Sequence, residues 1–115
     1  MSKIVIFAFK GDFMRFIHVL LNALDLNEKG IETKIVIEGE ATKLISELVS
    51  EKSPLYNLFK KVREKNLVAG VCKLCSQKMG TLESSIKEGF TILEDMNRHA
   101  GMAPFIKQGY IVITL

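Results

Sequence analysis

At 115 residues, with 48% hydrophobic and 25% charged side chains, the chain suits one globular domain that buries about two thirds of its extended-chain surface. This composition excludes the disordered and low-complexity classes. The net charge of +3 is weak and spread along the chain, and Trp is absent, so the basic patch with stacking aromatics that direct nucleic-acid binding needs is missing.

Residues 3–9 (KIVIFAF) form a continuous β-branched and aromatic run, the pattern of a strand covered on both faces. The run is too short for a signal segment or a membrane span, which implies a cytoplasmic protein without a membrane partner. Gly11-Asp12 ends it, and Asp12 is placed to cap a helix over 13–29 that stops at Gly30. At 100° per residue the apolar side chains of that helix sweep roughly 240°, where one sheet face needs a stripe of somewhat over ~100°. The surplus predicts a second buried contact, most simply with another copy of the chain. Arg15, His18, Asn22, Asp25 and Lys29 form the remaining polar stripe.

Residues 32–37 (ETKIVI) read as a second strand, with Glu38-Gly39-Glu40 as its exit turn. A short helix is predicted over 41–49, and another to about residue 65 with Ser53 as N-cap and Pro54 in its first position. Residues 67–71 read as a third strand running into Cys72-Lys73-Leu74-Cys75 and a short helix that Gly80 stops. Thr81 caps a helix to residue 87, a fourth strand covers 90–93, and a bent or short helix within 97–108, disturbed by Gly101 and Pro104, precedes a last strand over 110–115. A helix end, a glycine and a strand start recur at Gly30, Gly89 and Gly109. Alternating strand and helix predict a three-layer α/β/α domain with an open, mostly parallel sheet of about five strands, although their order is not legible. Ligand sites in such sheets lie beyond the carboxyl ends of the strands.

Both cysteines of the protein fall at that edge. Three residues apart, they cannot staple distant parts of a fold and point instead to redox, sulfur or metal chemistry. Cys72 stands at the last strand residue or the helix N-cap, and Cys75 one turn later on the same side. A helix N-terminus stabilises a thiolate, Lys73 and Lys78 add positive charge, and no acid occurs between Gly70 and Thr81. Function is therefore favoured over two small buried hydrophobes.

Three chemistries compete. A thioredoxin-type dithiol fits less well, because the pair follows the third strand and Pro104 lies in a helical stretch. Zinc needs four ligands; only His18 and His99 offer to join, and His18 sits on a polar stripe. No metal or cofactor is therefore expected, and a surface or capping role is favoured for His99. Glu38 and Glu40 read as solvated acids of a turn. The third chemistry is sulfur transfer, in which one thiolate takes and returns persulfide sulfur. No GxGxxG or P-loop supports nucleotide binding.

The apolar first strand, the long helix, the strand leading to Cys72-Lys-Leu-Cys75-Ser-Gln-Lys-Met-Gly80 and the closing Gly109-Tyr110-Ile111-Val112-Ile113 resemble the DsrE/DsrF-like family over nearly the whole of residues 1–115. The resemblance implies a single DsrE-like domain acting as a small stand-alone sulfur-relay protein. Cys72, eight residues before the glycine, matches the sulfur-carrying position, with Cys75 as partner or resolving thiol. It also implies sulfur donor and acceptor proteins as partners, and homo-oligomers. Met79 departs from the arginine common before that glycine. The alternatives left open are an oligomeric binding or adaptor module with non-catalytic cysteines and a Cys-x-x-Cys dithiol oxidoreductase.

Overall fold

A computed structural model describes residues 2–115; Met1, the first residue of the expected domain, lies outside the described residues. Five strands form one sheet: β1 (Lys3–Ala8), β2 (Glu32–Ile37), β3 (Val68–Cys72), β4 (Ile92–Leu93) and β5 (Ile111–Thr114). All pairings are parallel, in the order β4-β3-β2-β1-β5. The expected α/β/α architecture is therefore present. The alternating side chains of β1 divide between two cores, as a strand covered on both faces requires. Ile6 and Ala8 pack under α1 (Phe13–Glu28), α2 (Ile45–Leu48) and α3 (Tyr56–Glu64). Val5 and Phe7 pack on the opposite face, where Phe105 of α6 (Ala103–Lys107) meets the Phe7 ring edge-on at 5.7 Å.

Asp12 caps α1 as its position predicts, accepting from the Met14 amide at 3.0 Å. The helix buries Phe16, Val19, Leu20 and Ala23, while Met14 and Leu21 stay exposed, so the apolar arc is wider than this sheet face covers. Gly30, Gly89 and Gly109 all take positive φ where a helix turns into a strand.

Three local predictions are corrected. The stretch after β2 is a 3-10 helix (Gly39–Leu44) followed by the single turn of α2, because Gly39 at φ +56 starts it tightly and the Thr42 hydroxyl donates back to the Gly39 carbonyl at 2.7 Å. Ser53 and Pro54 form a turn ahead of α3: the Leu55 amide donates to Ser53 Oγ at 3.2 Å and the helix begins only at Tyr56. The predicted helix over 97–108 shrinks to α6. Asn97 and Arg98 adopt φ of 47° and 69°, the sign that a two-residue type I′ hairpin requires, and Met96 and His99 exchange backbone hydrogen bonds of 2.9 and 2.8 Å across it.

Candidate functional site

The site is assembled at the carboxyl edge of three neighbouring strands. β2 runs out into Glu38, β3 ends on Cys72, and the chain beyond β4 brings His99. Cys72 closes β3 and is the N-cap residue of α4 (Lys73–Lys78), which is followed by α5 (Leu82–Lys87). The β2–β3 register shifts between Ile35, opposite Val68, and Val36, opposite Gly70. The extra residue of this bulge, Ala69, makes Ile37 face Val71, which carries Glu38 and Cys72 out side by side.

α4 is tied down at its N-terminal end. The Leu74 amide in its first turn donates to the Arg98 carbonyl of the hairpin at 2.9 Å, and Ser76 Oγ donates to the Cys72 carbonyl at 2.7 Å. At the start of α5, Thr81 Oγ1 donates to the Thr42 carbonyl at 2.8 Å, locking the helix pair to the 3-10 turn that follows Glu38.

Cys72 and Cys75 are free thiols with their sulfurs 3.0 Å apart, and His99 Nδ1 lies 3.4 Å from Cys72 Sγ and 3.5 Å from Cys75 Sγ. Cys72 is fully buried, whereas Cys75 is half-buried. One thiol-bearing edge of the site is thus reachable through Cys75.

The helix end does not make Cys75 acidic. Burial first, then the hydrogen bond to Cys72, pushes its thiol up to about 11, against the lowering effect of the Gly39 amide that bonds it. α4 is only six residues long, its Leu74 amide is already engaged, and Lys73 is drawn off into an ion pair with Glu94 at 3.2 Å. Desolvation therefore wins over the dipole.

Two residues of the cluster were not expected in it. His99, read as a surface or capping residue, reaches both sulfurs because the hairpin folds it back. Glu38, read as a solvated turn acid, is 7% exposed, and its Oε2 has no hydrogen-bond partner among the described residues. Burial, with Asp95 adding like charge, raises the Glu38 carboxyl to about 7. Glu40 stays exposed, and so does His18 on the far stripe of α1. The one sequence signal for Glu38 was its place at a strand exit beyond a buried β-branched run. The groove of about 400 Å³ between α2 and α3 is lined by Leu48, Tyr56, Phe59 and Arg63 and takes in none of Glu38, Cys72, Cys75 or His99.

The molecule is thus an α/β protein with a Cys-x-x-Cys, histidine and buried glutamate gathered at the carboxyl edge of a parallel sheet. The chain is 36% identical over 98 residues to the uncharacterized protein MJ0733 of Methanocaldococcus jannaschii, a match covering 85% of this chain and 78% of that one. It belongs to the family of that archaeal protein. A second uncharacterized protein, from Archaeoglobus fulgidus, is 48% identical over 41 residues, 36% of this chain and 67% of the other. No family model matches the chain.

Proposed function

We propose that the protein is a DsrE/DsrF-like sulfur carrier that passes persulfide sulfur through Cys72 and Cys75. The observation that carries the reading is the stacking of two free thiols in depth, one half-exposed and one fully buried, with His99 against both. The spacing to Gly80 favours Cys72 as the carrier; burial favours Cys75 as the thiol that meets a donor, so the receiving role moves to Cys75. His99 Nδ1 is within reach to take the Cys75 proton, which the raised thiol does not release unaided near neutral pH.

The Cys75 thiolate attacks the outer sulfur of a donor persulfide; the donor's S–S bond breaks, and the donor leaves as its thiolate. Cys75 then carries the persulfide. An acceptor thiolate removes that outer sulfur by the reverse displacement, with no net oxidation. Without an acceptor, Cys72 attacks the inner sulfur, releasing hydrosulfide and leaving a Cys72–Cys75 disulfide. The partners are sulfur donor and acceptor proteins, and two free cysteines suit the reducing cytoplasm. We further propose that the chain self-associates, which would cover the apolar surface left on α1 and β5.

Mass spectrometry of trapped persulfide, after incubation with a sulfane-sulfur donor, tests this. Persulfide is expected to accumulate on Cys75 in Cys72→Ser, to appear in the wild type transiently before the Cys72–Cys75 disulfide and hydrosulfide, and to be absent in Cys75→Ser. Persulfide that persists in Cys75→Ser returns the receiving role to Cys72. A reversible Cys72–Cys75 disulfide formed without hydrosulfide release, with no persulfide on Cys72→Ser, makes the protein a dithiol oxidoreductase. Thiols that neither load nor alkylate in the folded protein make it an adaptor with structural cysteines.

A further inference from the structure

We propose that Glu38, Cys72, Cys75 and His99 form a four-ligand binding site for a tetrahedral divalent ion of the zinc class. This goes beyond the sulfur reading and does not rest on it. The sequence falls short of zinc for want of ligands near the cysteine pair. The fold supplies both missing donors from distant parts of the chain, Glu38 from the end of β2 and His99 from the hairpin after β4.

One donor atom from each residue lies within 4.8 Å of every other. Zinc–sulfur bonds of about 2.3 Å and zinc–nitrogen bonds of about 2.0–2.1 Å place tetrahedral ligands about 3.8 Å apart for two sulfurs and about 3.5 Å apart for sulfur and nitrogen. The imidazole already stands at that spacing, 3.4 and 3.5 Å from the two sulfurs. The sulfurs, 3.0 Å apart, have to open by about 0.8 Å to reach theirs.

The independent pointer to a ligand is Glu38. It is more than nine-tenths buried, its Oε2 has no partner among the described residues, and its carboxylate faces two thiols and an imidazole. An unpartnered carboxylate buried at a strand exit is costly, and a cation among these donors would satisfy it.

The surroundings suit such an ion. Asp95, held by the Gly101 amide at 3.1 Å, adds negative charge beside Glu38. Two sulfurs, one nitrogen and one carboxylate oxygen select a borderline-soft ion over magnesium or calcium. Four protein ligands leave no open position, so the ion clamps the dithiol and does not activate water. On binding, the protons carried by the ligands go to solvent, and no electron moves.

The test is a titration of the reduced, chelator-treated full chain with cobalt(II), followed by zinc(II) competition. Expected are one cobalt per chain, thiolate-to-cobalt charge-transfer absorption, intense tetrahedral visible bands, and displacement by zinc. Glu38→Gln, nearly isosteric, keeps the charge-transfer band but weakens binding by at least about the 10–100-fold that loss of an outer-shell partner costs. Cys72→Ser/Cys75→Ser abolishes the band, with folding checked by circular dichroism. Folded wild type without a charge-transfer band overturns the site. So does Glu38→Gln binding cobalt as tightly as wild type, because a bare Cys-x-x-Cys with histidine would then account for the binding. Persulfide loading is read separately by mass, so either result can fail without the other.

Discussion

At the scale of single residues, Glu38 shows how burial changes what a side chain does. Two acids flanking a glycine read alike in sequence, yet Glu40 is solvated and Glu38 is enclosed beside two thiols. A carboxyl raised in the folded state binds its proton more tightly there than in the unfolded chain. Its contribution to stability is complete below its ordinary value near 4.5 and is lost as the pH rises through about 7. Metal-free Glu38→Gln should therefore resemble wild type at pH 4 and exceed it at pH 8, by up to about 3 kcal/mol. Urea unfolding at the two pH values measures this, and a difference that does not grow between them contradicts it. The place of Cys72 and Cys75 at a strand-to-helix turn was legible because their spacing and setting are local. The ionisation of Cys75 was not, because it is governed by enclosure and by the bond to Cys72, which outweigh a short helix dipole.

At the scale of elements, the site depends on two departures from regularity. The bulge at Ala69 brings Cys72 level with Glu38, and the hairpin at Asn97-Arg98 turns His99 back over the sulfurs. Neither has a strong sequence signature. Asn97 tolerates positive φ, but Arg98 is an unusual choice, and the Gly101 and Pro104 that marked the region as irregular do not specify a hairpin. Gly101 matters for space. A Cβ there would lie 2.5 Å from Asp95 Oδ2 and 3.2 Å from Met96 Cβ, and moving Asp95 away breaks its bond with the Gly101 amide. Gly101→Ala is expected to cost about 1–3 kcal/mol and to displace His99. A thermal melt and the His99 imidazole NMR shifts check both; unchanged shifts would mean that the hairpin is held without this contact. Gly39 is constrained differently, by φ +56 and by the Phe9 carbonyl 3.1 Å from where a Cβ would sit. It cannot readily be replaced without moving Glu38 and the amide that bonds Cys75.

At the scale of the whole molecule, the order β4-β3-β2-β1-β5 puts β5 at one edge. Ile111 and Ile113, 57% and 38% exposed, lie opposite Ile4 and Ile6 on the α1 side of the sheet, and Leu115 joins Arg15 and His18 in a shallow apolar groove. An exposed apolar edge strand invites pairing with another chain. The wide apolar arc of α1 and this edge together support self-association, with β5 meeting a second copy. Ile111→Lys should shift the species measured by light scattering toward monomer while leaving persulfide loading on Cys75 intact. An unchanged mass would place the contact elsewhere. The cysteine site lies beyond β2, β3 and β4, away from that edge, so the two are separable.

Legible from residues alone were the α/β class with its mostly parallel sheet, the positions of the five strands and of α1, and the Cys72–Cys75 pair at a strand end. Each rests on contiguous apolar runs, caps or short spacings, whose physics acts over a few residues. The tertiary structure alone decided which strands are neighbours, and with that the meeting of Glu38, Cys72, Cys75 and His99, drawn from segments up to 61 residues apart. Strand order, a one-residue bulge and a hairpin are set by competition among long-range packings, and the enclosure that gives Glu38 its character exists only once those packings have closed.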